Sequence, residues 1–89
     1  MINIDKKKVK DMYYANMMYE YHKVTEKIRL FTEKYSMSFE QFEKSVKESE
    51  KEDFERWDDY MEWKAYQNVR DDIQHNMIEL QNGNFEITR

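Results

Sequence analysis

From near the start of the chain, apolar residues recur three and four positions apart. Tyr14, Met17, Tyr21, Val24, Ile28, Phe31 and Tyr35 form a heptad seam, the spacing with which one helix buries a narrow stripe against another. No breaker interrupts this stretch, and Asp5 stands where a capping side chain belongs. A first helix over about residues 6–35 is therefore predicted, about 45 Å long. Such a rod cannot fold back on itself. Met12, Ala15, Met18 and Tyr19 lie off the seam and widen the apolar surface of its first half, which asks for a second partner there: the last helix or a copy of the same chain.

The run Met37-Ser38-Phe39-Glu40-Gln41-Phe42 is the most specific local signal. Ser38 and Gln41 have the spacing of a capping box, with Met37 and Phe42 placed to close a hydrophobic staple over it. A sharp corner at Ser36–Ser38 should lead into a short second helix, about residues 39–48, that turns Phe39, Phe42 and Val46 to the core. A kink is expected near residues 49–52, with Ser49 and Glu52 offering a further cap.

A third helix is predicted from about Asp53 to Gln81, with an apolar line Phe54, Trp57, Met61, Ala65, Val69, Ile73, Met77 and Leu80. Its repeated steps of four make this line drift around the helix. Tyr60, Trp63 and Tyr66 therefore lie on a different face from Phe54, Trp57 and Met61; one set faces the hairpin and the other is left for a dimer mate or a foreign partner. Gly83 is the natural left-handed stop. The tail Phe85-Glu86-Ile87-Thr88-Arg89 alternates like a strand, yet five residues need another strand or a partner's edge to order, and disorder is the default expectation. The expected fold is one all-α domain over residues 1–89: a long helical hairpin with a short intervening helix, forming a four-helix bundle as a dimer.

Composition narrows the picture. The chain has 89 residues with one glycine, no proline, 38% charged and 16% aromatic residues, so it favours long helices and is too ring-rich for a disordered chain. No cysteine is present, which excludes disulfides, a thiolate nucleophile and cysteine zinc sites. The N-terminal run Met1–Lys6 lacks the apolar stretch of a signal peptide, and no later stretch has the length and apolarity to span a bilayer. A cytoplasmic protein without a membrane contact is expected.

Charge is unevenly placed. Residues 1–35 carry eight Lys/Arg against five Asp/Glu, whereas residues 36–89 carry seven against fourteen. The acids concentrate in residues 40–62, where there are ten against four bases. Such a run is usually a solvated helix face. Here it surrounds Trp57-Asp58-Asp59-Tyr60-Met61-Glu62-Trp63-Lys64-Ala65-Tyr66, in which four large rings in ten positions cannot all lie on one helix face. Acid-flanked rings on a surface suit a basic protein rather than nucleic acid or lipid phosphate. The competing reading places all four rings in the core of an ordinary bundle.

Catalytic chemistry finds no support. His22 and His75 stand alone on different helices, without the spacing of a metal site. A single glycine cannot make a phosphate-binding loop. Asp58-Asp59 and Asp71-Asp72 are adjacent pairs that diverge by about 100° on a helix and suit neither a catalytic dyad nor a metal cage. No enzyme activity and no cofactor are expected. Lys6-Lys7-Lys8-Val9-Lys10 is the one basic cluster, but no DNA-reading motif accompanies it, so specific nucleic-acid binding is not expected.

The segment Lys34-Tyr35-Ser36-Met37-Ser38-Phe39-Glu40-Gln41-Phe42, followed by an acidic spacer and then Trp57-Asp58-Asp59-Tyr60-Met61-Glu62-Trp63-Lys64-Ala65, resembles a group of small helical prokaryotic proteins regarded as the antitoxin components of toxin–antitoxin modules. The two blocks occur in the same order and, with the spacer between them, span about a third of the chain. Those proteins usually carry glycine where this chain has Ser36, so the corner's backbone should differ or the first helix end earlier. The resemblance implies a small toxin, often an RNase, neutralised by direct binding, with contacts at Asp59, Tyr60, Glu62 and Trp63. With Trp57 and Asp58 added from the ring-and-acid pattern, the expected partner-binding residues are Trp57, Asp58, Asp59, Tyr60, Glu62 and Trp63. An antitoxin-like inhibitor of a small basic toxin, itself a homodimer, is the first reading; a generic helical dimerisation or scaffold module is the second; a weak nucleic-acid-binding regulator is the third.

Overall fold

A computed structural model describes residues 5–83 as three helices: α1 (Lys6–Tyr35), α2 (Phe39–Glu48) and α3 (Phe54–Gln81). The expected terminal tail at residues 84–89 lies outside the described residues. Each helix starts at a side-chain cap. Asp5 accepts from the Lys7 amide at 2.9 Å, which satisfies one orphan donor in a first turn crowded with lysines. On the outer surface of α1, Arg29 bridges Glu26 and Glu33. The Arg29 guanidinium holds the Glu26 carboxyl below its usual range.

The α1–α2 corner is built as its side chains dictate. Ser38 Oγ accepts from the Gln41 amide at 3.2 Å, and Gln41 Oε1 accepts from the Ser38 amide at 3.1 Å, so two orphan donors are satisfied reciprocally. Met37 packs against the core cluster that contains Phe42. Ser36 corrects an expectation: it takes the left-handed conformation itself, φ 53° and ψ 40°, and α1 still runs to Tyr35. The corner's backbone is thus the glycine-type one, with a Cβ added at a cost of about 1 kcal/mol.

The second break is capped differently from expectation. Ser49 closes α2 and turns the link, its Oγ accepting from the Lys51 amide at 3.3 Å. It is Asp53, in an extended conformation, that caps α3 by accepting from the Arg56 amide at 3.1 Å. A carboxylate suits this position better than a hydroxyl because it carries negative charge to the positive end of the helix.

α1 and α3 pair along their length. At the far end Gln81 donates to the Tyr14 hydroxyl at 3.3 Å, and Gly83 ends α3 at φ 77°. The molecule measures 64 × 20 × 19 Å. Its core collects at the corner end, where α2 folds onto α3: Val24, Ile28, Phe42, Tyr60 and Trp63 are buried, with Phe31, Tyr35, Phe39, Val46 and Tyr66 packed against them. No described helix is long and apolar enough to cross a membrane.

Candidate protein-docking site

α3 carries two sets of rings on different faces, which meet where Trp57 touches Tyr60 at 5.5 Å between ring centres. Tyr60 and Trp63 face inward, 3% and 0% exposed, while Phe54, Trp57 and Met61 face outward at 75%, 50% and 52%. The phase of the helix decides this. Six residues separate Trp57 from Trp63, about 600° of rotation, so the two indoles point some 120° apart. Only one can meet the rings supplied by α1 and α2.

Trp63 takes that place. It stacks on Phe31 at 5.6 Å and on Tyr35 at 6.4 Å between ring centres, and meets Phe39 edge-on at 5.5 Å, the separations at which aromatic pairs attract. Its Nε1 finds no hydrogen-bond partner among the described residues, a cost of about 1–3 kcal/mol that the packing must offset. Tyr60 stacks on Phe39 and donates its hydroxyl proton to Glu43 at 2.7 Å; that bond, then burial, raises the Tyr60 pKa. Both were expected on the binding face, and the structure corrects this. They close the hairpin because α1 and α2 offer four rings to the face on which they lie.

Asp59 is likewise engaged within the chain. It accepts from Lys34 at 2.7 Å and from the Tyr35 hydroxyl, while Lys34 also reaches Glu55 at 3.0 Å. Burial alone would lift the Asp59 carboxyl, but the bonds from Lys34 and Tyr35 and the Lys34 charge outweigh it and hold the pKa below the ordinary value. Burial first, then the bond to Asp59, pushes the Tyr35 hydroxyl up to about 12. Lys34 is raised by its bonds to Asp59 and Glu55. These three residues clasp the end of α1 to the second turn of α3.

Of the expected binding residues, Trp57, Asp58 and Glu62 therefore remain outside. Glu62 accepts from the Tyr66 hydroxyl at 3.0 Å along its own helix and stays open to solvent. Two further residues join Trp57 to complete the exposed stripe: Phe54, three positions before it, and Met61, four after. That spacing was readable in the sequence, since i−3 and i+4 share a face. Arg56 is a residue that sequence reasoning did not single out. Its guanidinium lies 5.3 Å and 5.0 Å from the ring centres of Tyr35 and Phe42 and donates to Ser45 Oγ at 2.7 Å. These contacts fix the guanidinium in place without neutralising its charge.

A protein-family model described as the Uncharacterized protein MJ0235 family matches residues 3–85. The chain belongs to that family. No curated protein and no solved structure matches it. In this member of the MJ0235 family the exposed stripe is set among acids on both sides in sequence, Glu50, Glu52, Asp53 and Glu55 before and around Phe54, and Asp58 and Glu62 about Trp57 and Met61. Among the described residues no three His, Cys, Asp or Glu side chains gather as metal ligands. His22 and His75 are both exposed and far apart in sequence. The arrangement leaves apolar rings half or more exposed beside negative charge.

Proposed function

We propose that this protein acts by binding and occluding a small basic protein, as an antitoxin-like inhibitor, through the outer face of the first turns of α3. The observation that carries the reading is the exposed stripe Phe54, Trp57 and Met61 beside Asp58 and Glu62. Fully burying one such apolar side chain stabilises by about 1.5–3 kcal/mol, so the partly exposed three hold roughly 4 kcal/mol in reserve. The surrounding acids speed the approach of a basic partner and repel nucleic acid. The resemblance to antitoxins supplies the class of partner, a toxin often of the RNase type.

A second copy of the chain is proposed to cover other surface, giving a dimeric bundle. The chain exposes 7404 Å² for a mass of 11.2 kDa, against about 5,700 Å² for a compact protein of that mass. The difference exceeds the ~800 Å² that each partner contributes to a standard interface. Met12 and Tyr19 on α1, 72% and 64% exposed, favour the amino-terminal half of α1 for this contact. A scaffold role without a toxin is the alternative reading, in which the stripe on α3 is also covered by the second copy.

Co-expression with the product of the adjacent gene tests the reading. The wild-type protein should co-purify with that product and relieve its toxicity, and Trp57→Ala/Met61→Ala should fold normally but lose both effects. Unchanged co-purification by the double variant would overturn the assignment of this surface.

A further inference from the structure

Between the end of α2 and the start of α3 lies a groove of about 350 Å³. Val46 lies on the α2 side and Phe54 and Trp57 on the α3 side, with Ser49, Lys51, Glu52, Asp53 and Arg56 completing the lining. The groove is held open by bonds already made. Ser49 Oγ fixes the link through Lys51, Asp53 caps α3, and Arg56 is tied to Ser45 across the rings of Tyr35 and Phe42. These bonds brace the ends of the groove before any partner arrives, which lowers the ordering cost of binding. An apolar cavity of about 150 Å³ accommodates a benzene ring, so this groove has room for one large side chain and part of a second.

We infer that the groove is a socket for an apolar side chain from a basic, amphipathic segment of a partner protein. This deepens the function proposed above and rests on it. The apolar occupant follows from Val46, Phe54 and Trp57, and the basic flanks follow from charge: over residues 46–58 the acids Glu48, Glu50, Glu52, Asp53, Glu55 and Asp58 outnumber the bases Lys47, Lys51 and Arg56. A helix or loop that lowers one Leu, Met or aromatic side chain between Phe54 and Trp57 brings its neighbouring Lys or Arg onto that acidic rim. Burial of the anchor holds the partner, and the rim selects it.

Trp57 reports the event, because it lines the groove at 50% exposure while the other tryptophan, Trp63, is fully buried. The probe is an amphipathic helical peptide of about 18 residues made of Leu and Lys, titrated into the full chain beside a Leu/Glu peptide and a Ser/Lys peptide. The Leu/Lys peptide should shift emission to shorter wavelength and shield Trp57 from acrylamide. The Leu/Glu peptide should do neither, and the Ser/Lys peptide should bind about tenfold more weakly. Phe54→Ala, a change at a residue 75% exposed, should weaken Leu/Lys binding about tenfold at unchanged helicity.

If Phe54→Ala binds like wild type while Met61→Lys does not, the socket is overturned and docking on α3 stands. Equal binding of all three peptides, or of none, would overturn both. An emission shift that grows with protein concentration in the absence of peptide would make a second copy the occupant and overturn the basic partner.

Discussion

Trp57 and Trp63 are the same residue on the same helix six positions apart, one half exposed and the other fully buried. Nothing in their immediate neighbours explains the difference, since both stand beside acids. What separates them is what lies opposite. Phe31 and Tyr35 from α1, with Phe39 and Phe42 from α2, converge on the side of α3 that holds Trp63 and Tyr60. Among the described residues, the side that holds Trp57 receives no further helix. A ring's role in this molecule is decided by the supply of rings across from it.

Truncating each indole breaks the comparison most sharply. Trp63→Ala should cost about 3–5 kcal/mol, enough to unfold much of so thin a hairpin at room temperature, whereas Trp57→Ala should cost less than about 1 kcal/mol. Thermal melts followed by circular dichroism check both. Equal losses would place the two rings in one core after all.

The clasp that keeps the inner face inward should fail next. The Asp59 carboxyl is held low in the folded chain, so its contribution is complete above the ordinary aspartate pKa, near 3.9, and is lost as pH falls through the lower folded value. Stability measured by urea titration should drop as pH falls below about 4, and Asp59→Asn should flatten that part of the profile while costing about 2 kcal/mol at neutral pH. Tyr35, raised to about 12, has the opposite sense: its contribution is whole below pH 10 and disappears as pH rises toward 12. Phenol absorbance at about 295 nm during an alkaline titration should show an ionisation near pH 12 that Tyr35→Phe removes.

Smaller effects sharpen the corner that aims α2 at α3. Ser38→Ala removes a cap oxygen from the Gln41 amide and should cost about 1 kcal/mol. Ser36→Gly should instead stabilise by about 0.5–1 kcal/mol, because only the left-handed strain of Ser36 is relieved. A loss of stability from that substitution would mean that Ser36 is not strained.

The sequence made the helices legible because their ends are written in side chains: Asp5, the Ser38–Gln41 pair and Gly83 each terminate or begin an element through a bond or backbone conformation that few other residues supply. The heptad seam of α1 was legible for the same local reason. The two faces of α3 could be told apart by phase, but which of them turns inward depends on Phe31, Tyr35, Phe39 and Phe42, residues up to some thirty positions away. For that reason Tyr60, Trp63 and Asp59 were expected outside. The cap at Asp53 rather than Ser49 was obscured because two competent cap residues lie four apart, and the choice rests on where α2 ends.

The link from Ser49 to Asp53 sets up one further behaviour. Lys51 sits there exposed, between two helices and outside regular hydrogen bonding, in the kind of segment that proteases enter. Trypsin should nick the native chain at that peptide bond before it reaches the lysines within α1. The two pieces would stay together, since α3 carries Tyr60 and Trp63 into rings that belong to the other fragment. The molecule is thus a candidate for splitting and reassembly, with the cleavage point lying beside the ring that reports on occupancy.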